Sequence, residues 1–293
     1  MSTPTDHFTD FLHRRSFVEL NARERANALV DAGTGRELLG PFDRIESPWL
    51  AVQGVTPQAD DGCILVKGRI AGRAAVIVAL EGAFQGGSTG EVSGAKMTAA
   101  LQLARQDCER GIPTSAVILL ETGGVRLQEA NLGLAAIAEL MNAVLMLRSR
   151  APVICLVAGT VGCFGGMALV AGLASYVVMT SLARLGMNGP EVIQEENGIE
   201  EFDPSDRALI WGINGGEQRH ALGLADALVE DDVSRIASAV QALVLKGIPA
   251  VHRSSEASLY RCRIQALDAS HQWDPREFRA MWNEETLMEK KSS

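Results

Sequence analysis

The chain has 293 residues, of which 47% are hydrophobic and 22% charged, the balance of an ordinary globular protein. A formal net charge of −9 argues against a nucleic-acid or membrane partner, and no apolar run reaches the ~20 residues that span a bilayer. The five cysteines form no CxxC pair and the amino terminus has no signal-peptide pattern, so we expect a cytoplasmic protein without bound metal or disulfides.

The first third of the chain predicts a helical lead-in, a hairpin and a glycine-rich loop. Residues 1–50 carry apolar residues at helical spacing followed by a glycine stop, and are expected to be largely helical. Two strand-like runs, Cys63–Ile70 and Ala74–Leu80, are joined by the tight-turn signal Ala71-Gly72-Arg73. A glycine-rich loop from Gly82 to Gly94 then leads into a helix predicted over about residues 95–110.

The remainder predicts alternating strands and helices. Short continuous apolar runs favour strands buried on both faces. These runs are Ala116–Leu120, Val153–Val157 and Tyr176–Met179. Helices are expected over about 131–150, up to about residue 172, and through most of the chain beyond residue 186, ending in a helical extension over 250–293. Strand–loop–helix units with right-handed crossovers predict one α/β domain over residues 1–293.

Paired glycines follow two consecutive buried strands, where ligands of α/β sheets bind. Gly123-Gly124 follows the first of these strands, and Gly165-Gly166 lies a few residues past the second, at the predicted start of a helix. Two backbone N–H groups from neighbouring loops, aimed at one point, would form an oxyanion hole. The alternative is that the glycines serve only tight turns and close helix packing.

Other candidate groups lie near these loops. Cys163 is either a thiol of low pKa at a helix start or a small apolar filler. Glu121, Glu129 and Glu91 are candidate acids or bases, and equally candidate caps or salt-bridge partners. The glycine-rich stretch at 86–90 lacks the GK[ST] ending of a P-loop, there is no GxSxG elbow, and the five histidines are scattered.

Four ordered motifs over roughly 170 residues match those of a known family. Residues 20–25 (LNARER) are similar to L-T-A-R-E-R, residues 86–92 (GGSTGEV) to G-G-S-x-G-E-V, residues 121–129 (ETGGVRLQE) to D-S-G-G-A-R-I-Q-E, and Gly165-Gly166 with residues 189–193 (GPEVI) to G-G…G-P-x-V-I. The chain therefore resembles the carboxyltransferases of acyl-CoA carboxylases, within the crotonase-like superfamily. Glu121 and Thr122 stand where the family has Asp and Ser.

The resemblance implies a crotonase-like β-β-α spiral and an active site where two such domains meet. This chain carries one such domain and no four-cysteine ribbon, so it is most similar to the β subunits of biotin-independent malonate decarboxylases. Such a subunit would work with a second carboxyltransferase-like γ subunit, an acyl carrier protein and an acyl carrier transferase. The carrier would bring a CoA-like phosphopantetheine group, and this chain would bind no cofactor directly.

The expected activity is decarboxylation of a malonyl thioester through an enolate held by backbone amides. The catalytic amides are expected from Gly165, Gly166, Gly124 and Val125. The substrate-binding residues are expected to be Gly86, Gly87, Ser88, Gly123, Arg126 and Gln128. Arg126 is expected to orient a ligand or to be structural, since a guanidinium does not act as an acid or base.

Three alternatives remain open. The first is a carboxyltransferase subunit that moves CO2 between biotin and acyl-CoA, using the same amides. The second is a hydratase or hydrolase, which would need two carboxylates in the pocket, and Glu121 and Glu129 flank the first glycine loop. The third is a scaffold half whose partner performs all the chemistry.

Overall fold

A computed structural model describes residues 14–198, 203–268, 270–271 and 273–282. Within them a seven-stranded sheet has its strands in chain order, β1 to β7. The first three strands pair antiparallel and the rest pair parallel. The strands are β1 Arg36–Leu38, β2 Cys63–Ile70, β3 Arg73–Leu80, β4 Ser115–Leu119, β5 Val153–Val157, β6 Tyr176–Thr180 and β7 Ala227–Val229.

Helices follow each parallel strand and cover both faces of the sheet. They are α1 Ala22–Leu29, α2 Glu91–Glu109, α3 Asn131–Arg148, α4 Gly166–Leu173, α5 Pro190–Asn197, α6 Arg207–Asn214, α7 Gly216–Ala221, α8 Val233–Lys246, α9 Ala257–Gln265 and α10, residues 275–282. Both faces of β4, β5 and β6 are buried, which is why these strands are continuous apolar runs.

Two apolar cores lie on opposite sides of the sheet because side chains alternate along each strand. Val76 and Val78 of β3 pack on the side of α2, α3 and α4, whereas Ile77 packs on the side of α1 and α8. By length and composition α3 could cross a membrane, but its buried face belongs to the first core, where it packs against α2. Gly94 lies inside α2 at this contact: a Cβ there would be 2.4 Å from the Cβ of Ala136.

The hairpin and the three buried strands are confirmed to within a residue or so at each end. The helical lead-in over residues 1–50 is wrong for much of its described part. From residue 14 onward it holds one α-helix, α1, and the strand β1, which pairs with Leu65–Lys67 of β2. Beyond residue 186 the chain is mostly helical, as predicted, but it also contributes β7. Both missed strands have three residues, too few to show a period.

The helix after the first glycine-rich loop begins at Glu91 and not near residue 95. Its early start has a tertiary cause, because the Glu129 carboxylate, 38 residues further along the chain, accepts a hydrogen bond from the Glu91 amide at 2.5 Å. A carboxylate at a helix amino terminus satisfies a free N–H and complements the helix dipole. The predicted helix over 250–293 is present as α9 and α10 in its described part, and residues 283–293 lie outside the described residues.

Candidate active site

The loops that follow the parallel strands are joined by short bridges at one edge of the sheet. Thr122, after β4, pairs with Cys163, after β5, and Cys163 pairs with Leu185, after β6. Thr89, before α2, pairs with Val125. The carboxyl ends of successive strands therefore meet in a second, smaller layer of pairing that fixes the loops against each other.

The two glycine pairs are in direct contact. A Cβ on Gly124 would lie 3.1 Å from the Phe164 carbonyl oxygen and 3.3 Å from the Cα of Gly165. A Cβ on Gly165 would lie 4.0 Å from the amide nitrogen of Val125. Gly124 and Gly165 also have positive φ angles of 113° and 61°, which disfavour any other residue. The two glycine loops predicted from the sequence are therefore neighbours in the fold.

The amides of these loops divide into engaged and free groups. The Gly165 N–H donates to the Met187 carbonyl at 2.7 Å, and the Gly124 N–H donates to the Thr122 hydroxyl at 3.0 Å. Neither is available to a ligand in this conformation, which corrects their expected role as oxyanion donors. Among the residues that the structure describes, the N–H groups of Val125 and Gly166 donate to no protein acceptor.

Of the four amides predicted to be catalytic, those of Val125 and Gly166 are accordingly the ones that remain free to bind an oxyanion. Gly166 is the first residue of α4, where a helix leaves its N–H groups without partners and its dipole favours negative charge. Both residues are half-buried and not fully enclosed by the protein. Of the four amides predicted to be catalytic, one from each loop is therefore still available to a ligand.

The loop at Gly86-Gly87-Ser88 packs on the first glycine loop from the other side. The Gly123 N–H donates to the Gly86 carbonyl at 2.9 Å, which engages another of the predicted ligand-binding amides. A Cβ on Gly87 would lie 1.8 Å from the Glu121 carbonyl oxygen, so only glycine fits there. Gly86 and Gly123 are exposed.

Arg126, one of the predicted substrate-binding residues, is enclosed within the protein. Its side chain is fully buried and donates to Asp61 at 2.6 Å, to Glu129 at 2.9 Å and to the Ser88 carbonyl at 3.0 Å. Because the guanidinium binds three segments of the protein, the structural one of its two expected roles is favoured. Gln128 is exposed, and its amide donates to the side chain of Gln85 at 3.4 Å.

A buried ionic cluster supports the first glycine loop from below. Glu129 accepts from Arg126, from the Ser47 hydroxyl at 2.7 Å and from the Glu91 amide, so it caps α2 and is not free for acid–base chemistry. Burial raises the pKa of the Asp61 carboxyl, against the opposing influence of Arg126. Two carboxylates around one guanidinium hold residues 88–91 and 126–129 together.

The other candidate thiol and carboxylates, Cys163, Glu91 and Glu121, are each engaged in packing or in a contact within the protein. Cys163 is fully buried, and burial raises the pKa of its thiol well above the ordinary value, so it fills space in the core. Glu91 accepts from the Trp49 indole at 2.6 Å on the surface. Glu121 is buried in an ion pair with Arg25, a residue of the LNARER motif for which the sequence indicated no role.

Two free amides on touching strand-end loops of an α/β sheet are an arrangement that suits the stabilisation of an oxyanion. Residues 18–279 match the carboxyl transferase domain family, and the chain belongs to that family. The crotonase-like fold class predicted from the motifs is confirmed by the solved structures described next.

Two solved structures share high sequence identity with the chain. A Pseudomonas malonate decarboxylase hetero-tetramer in complex with malonate is 54% identical, with a TM-score of 0.91 over 94% of this chain and 99% of the other. A Pseudomonas malonate decarboxylase MdcD-MdcE hetero-dimer is 50% identical, with a TM-score of 0.73 over 86% and 97%. They confirm the resemblance to malonate decarboxylase subunits.

A curated relative carries a different activity in its name. The malonyl-S-ACP:biotin-protein carboxyltransferase MADC of Malonomonas rubra is 42% identical over 245 residues, covering 80% of this chain and 77% of the relative. These relatives are decarboxylases or carboxyltransferases. The prediction that this chain is a subunit of such an enzyme is confirmed.

Proposed function

We propose that this chain is the β-type subunit of a malonate decarboxylase and converts a carrier-bound malonyl thioester into an acetyl thioester and CO2. The observation that carries the proposal is the pair of free amides, Val125 and Gly166, on loops in direct contact. The 54% identity to a malonate decarboxylase structure supports malonyl as the acyl group. Gly86, Gly123 and Ser88 are proposed to line the approach of the thioester.

The chemistry requires charge stabilisation at one oxygen. When the bond between the α-carbon and the carboxylate breaks, CO2 leaves and its bonding electron pair forms an enolate. The negative charge collects on the thioester oxygen, where the N–H groups of Val125 and Gly166 would donate to it. Preorganised donors of this kind contribute roughly 3–4 kcal/mol each to transition-state stability. Addition of one proton to the α-carbon then yields the acetyl thioester.

We further propose that the proton donor is supplied by a second carboxyltransferase-like chain. Glu121 and Glu129, the carboxylates beside the first loop, are both held in buried ion pairs. The two Pseudomonas structures are hetero-oligomers, which supports a second chain here. A phosphopantetheine arm on an acyl carrier protein would bring the thioester to the loops, after loading by a transferase subunit in the cytoplasm.

The direct test uses the complex co-purified with its partner chains. Malonyl thioester on the holo-carrier protein is supplied, and CO2 and acetyl thioester are measured together. We expect the two products in equal amounts. Release of free malonate, or no CO2 above the uncatalysed rate, would contradict the proposal.

A second candidate is carboxyl transfer to a biotin-bearing protein, which the name of the Malonomonas relative favours. The same enolate would form, and the two functions differ only in whether the carboxyl group leaves as CO2 or is captured by biotin. Avidin separates them, because it sequesters biotin. We expect CO2 release from the purified complex to be unchanged by avidin, and inhibition would favour the transferase.

A further inference from the structure

Glu121 lies where three strand-end loops converge. It directly precedes Thr122 and the first glycine loop, and its side chain is packed between glycines that follow β3 and β5. A Cβ on Gly82 would lie 2.8 Å from the Cγ of Glu121, and a Cβ on Gly159 would lie 2.0 Å from its Cδ. The carboxyl group of Glu121 therefore fills space that exists only because both neighbours are glycine.

Arg25 of α1 holds this carboxylate from below. The two side chains form an ion pair and are 8% and 10% exposed. The remaining guanidinium nitrogens donate to the carbonyl oxygens of Phe17 at 3.0 Å and Val18 at 2.5 Å. The amides of Phe17 and Val18 are themselves bound by the Asp231 carboxylate at 2.9 and 3.0 Å. Arg25 thus has a fixed position, and it fixes Glu121.

The second glycine loop is attached to the same carboxylate. The other oxygen of Glu121 accepts from the Val161 amide at 3.4 Å. One residue further on, the Thr122 amide donates to the Gly162 carbonyl at 2.8 Å, and the Phe164 amide donates to the Thr122 carbonyl at 3.0 Å. Hydrogen bonds therefore run without interruption from Arg25 to the residue before Gly165-Gly166.

We infer that Arg25 and Glu121 are positioning residues that set the separation between the Val125 and Gly166 amides. The inference rests on the proposed function of those amides. A buried ion pair adds little net stability, because desolvation of both charges offsets their attraction. Its location between the loops supports a geometric role, since a displacement of about 1 Å at reacting groups can cost about a hundredfold in rate.

Steric compensation provides the first test. Gly159→Ala places a methyl group against the carboxyl of Glu121 and should displace it, which lowers kcat by about tenfold or more with little change in KM. Glu121→Asp withdraws the carboxyl by one methylene. The double variant, Gly159→Ala with Glu121→Asp, should therefore recover much of the kcat lost in Gly159→Ala.

A second test changes Arg25, the ion-pair partner of Glu121, and does not depend on Gly159. Arg25→Lys keeps the charge but cannot bind Phe17, Val18 and Glu121 together. We expect a loss of tenfold or more in kcat with KM changed less than about threefold. The matched control is Lys67→Met, which breaks the Lys67–Asp107 pair between β2 and α2. The control should lower Tm while leaving kcat within about twofold.

The measurements use the co-purified complex with malonyl thioester on its carrier. A double variant no more active than Gly159→Ala, or an Arg25→Lys complex with lowered Tm and unchanged kcat, would overturn the inference. If Gly159→Ala yields no folded complex, the Arg25→Lys result decides alone. A wild-type complex that releases no CO2 would instead overturn the proposed function, so the two failures are distinguishable.

Discussion

Glycine serves two purposes in these loops: it adopts a backbone conformation that other residues disfavour, and it offers an amide to a ligand. Different glycines serve each purpose. Gly124 and Gly165 have positive φ angles, so their conformation alone requires glycine, and their amides are used inside the protein. Gly166 has no positive φ, and its amide is free. Gly166 is therefore the position where loss of the donor can be tested without strain on the backbone.

Gly166→Pro should lower kcat by about a hundredfold or more, because it removes one oxyanion donor. Proline is well tolerated at the first position of a helix, so the fold of α4 should survive. The matched control is Gly166→Ala, which adds a comparable Cβ 3.0 Å from Ile137 but keeps the N–H. CO2 release from the complex is measured at saturating malonyl thioester.

Comparison of the two Gly166 variants separates electrostatics from packing. The alanine variant should keep activity within about tenfold, since a side-chain contact at 3.0 Å needs only a small shift of Ile137. Equal losses in both variants would assign the effect to packing. Normal turnover in a folded proline variant would exclude Gly166 as an oxyanion donor.

Arg126 should contribute to stability and not to substrate affinity. Arg126→Met leaves Asp61 and Glu129 buried without their counter-charge, which should lower the free energy of unfolding by about 3–5 kcal/mol. Arg105→Met, which breaks a solvent-exposed pair with Glu109, should cost less than about 1 kcal/mol. Urea unfolding measures both. A large rise in KM for a variant that remains stable would restore the ligand-binding role.

Among the helices and strands, those that a local sequence pattern determines were predicted correctly. Val153–Val157 is strand β5 at the predicted residues, because a continuous apolar run bounded by Pro152 and a glycine loop has one good solution. β1 and β7 went unrecognised because their three residues gain strand structure only from pairing with β2 and β6. The start of α2 was misplaced because its cap, Glu129, lies 38 residues away.

In the candidate site too, features set by neighbouring residues were predictable, whereas those set by residues far along the chain were not. The paired glycines and their loops were predictable from strand ends and spacing. Which amides remain free was not predictable, because the acceptor for Gly165 is the Met187 carbonyl on a loop that follows another strand. The role of Arg25 depends on a residue 96 positions away, and no local pattern encodes that contact.

The segment before α1 is tied to residues that follow β7, at the far end of the sheet, and the Asp231 carboxylate makes several of these hydrogen bonds. Asp231 accepts from the Ser16 hydroxyl at 2.6 Å and from the amides of Phe17 and Val18. Asp231→Ala leaves these donors unpaired, and we expect a loss of about 3 kcal/mol in unfolding free energy. Asp206→Ala removes a single cap of α6, from the Leu209 amide, and should cost about 1 kcal/mol.

Both losses can be read from thermal or urea unfolding of the same preparation. Because Phe17 and Val18 carry the carbonyls that hold Arg25, Asp231→Ala should also lower kcat, whereas Asp206→Ala should not. Equal costs for the two variants would indicate that the segment is held by its other contacts, which include the burial of Phe17 and the hydrogen bond from the Arg15 amide to Asp232.

For the whole molecule, the glycine loops and their neighbours carry several exposed apolar side chains. Leu127 is 85% exposed just after the first loop, Leu169 of α4 is 48% exposed, and Met187, whose carbonyl binds Gly165, is 53% exposed. Exposed apolar groups gathered at a site mark a surface that another protein covers. The proposed split active site requires such a surface at this edge, so that the second chain can reach the enolate with its proton donor.

We therefore predict that this chain alone releases no CO2 from malonyl thioester and that co-expression with a second carboxyltransferase-like chain restores turnover. Leu169→Glu should prevent their co-purification, because a buried unpaired charge strongly opposes an apolar interface. Leu245→Glu, at the end of α8 and 50% exposed, places the same charge on the opposite side of the sheet and should leave the complex intact. Full activity of the isolated chain would show that its own loops suffice. Dissociation by both variants would mean that the interface is not at the glycine loops.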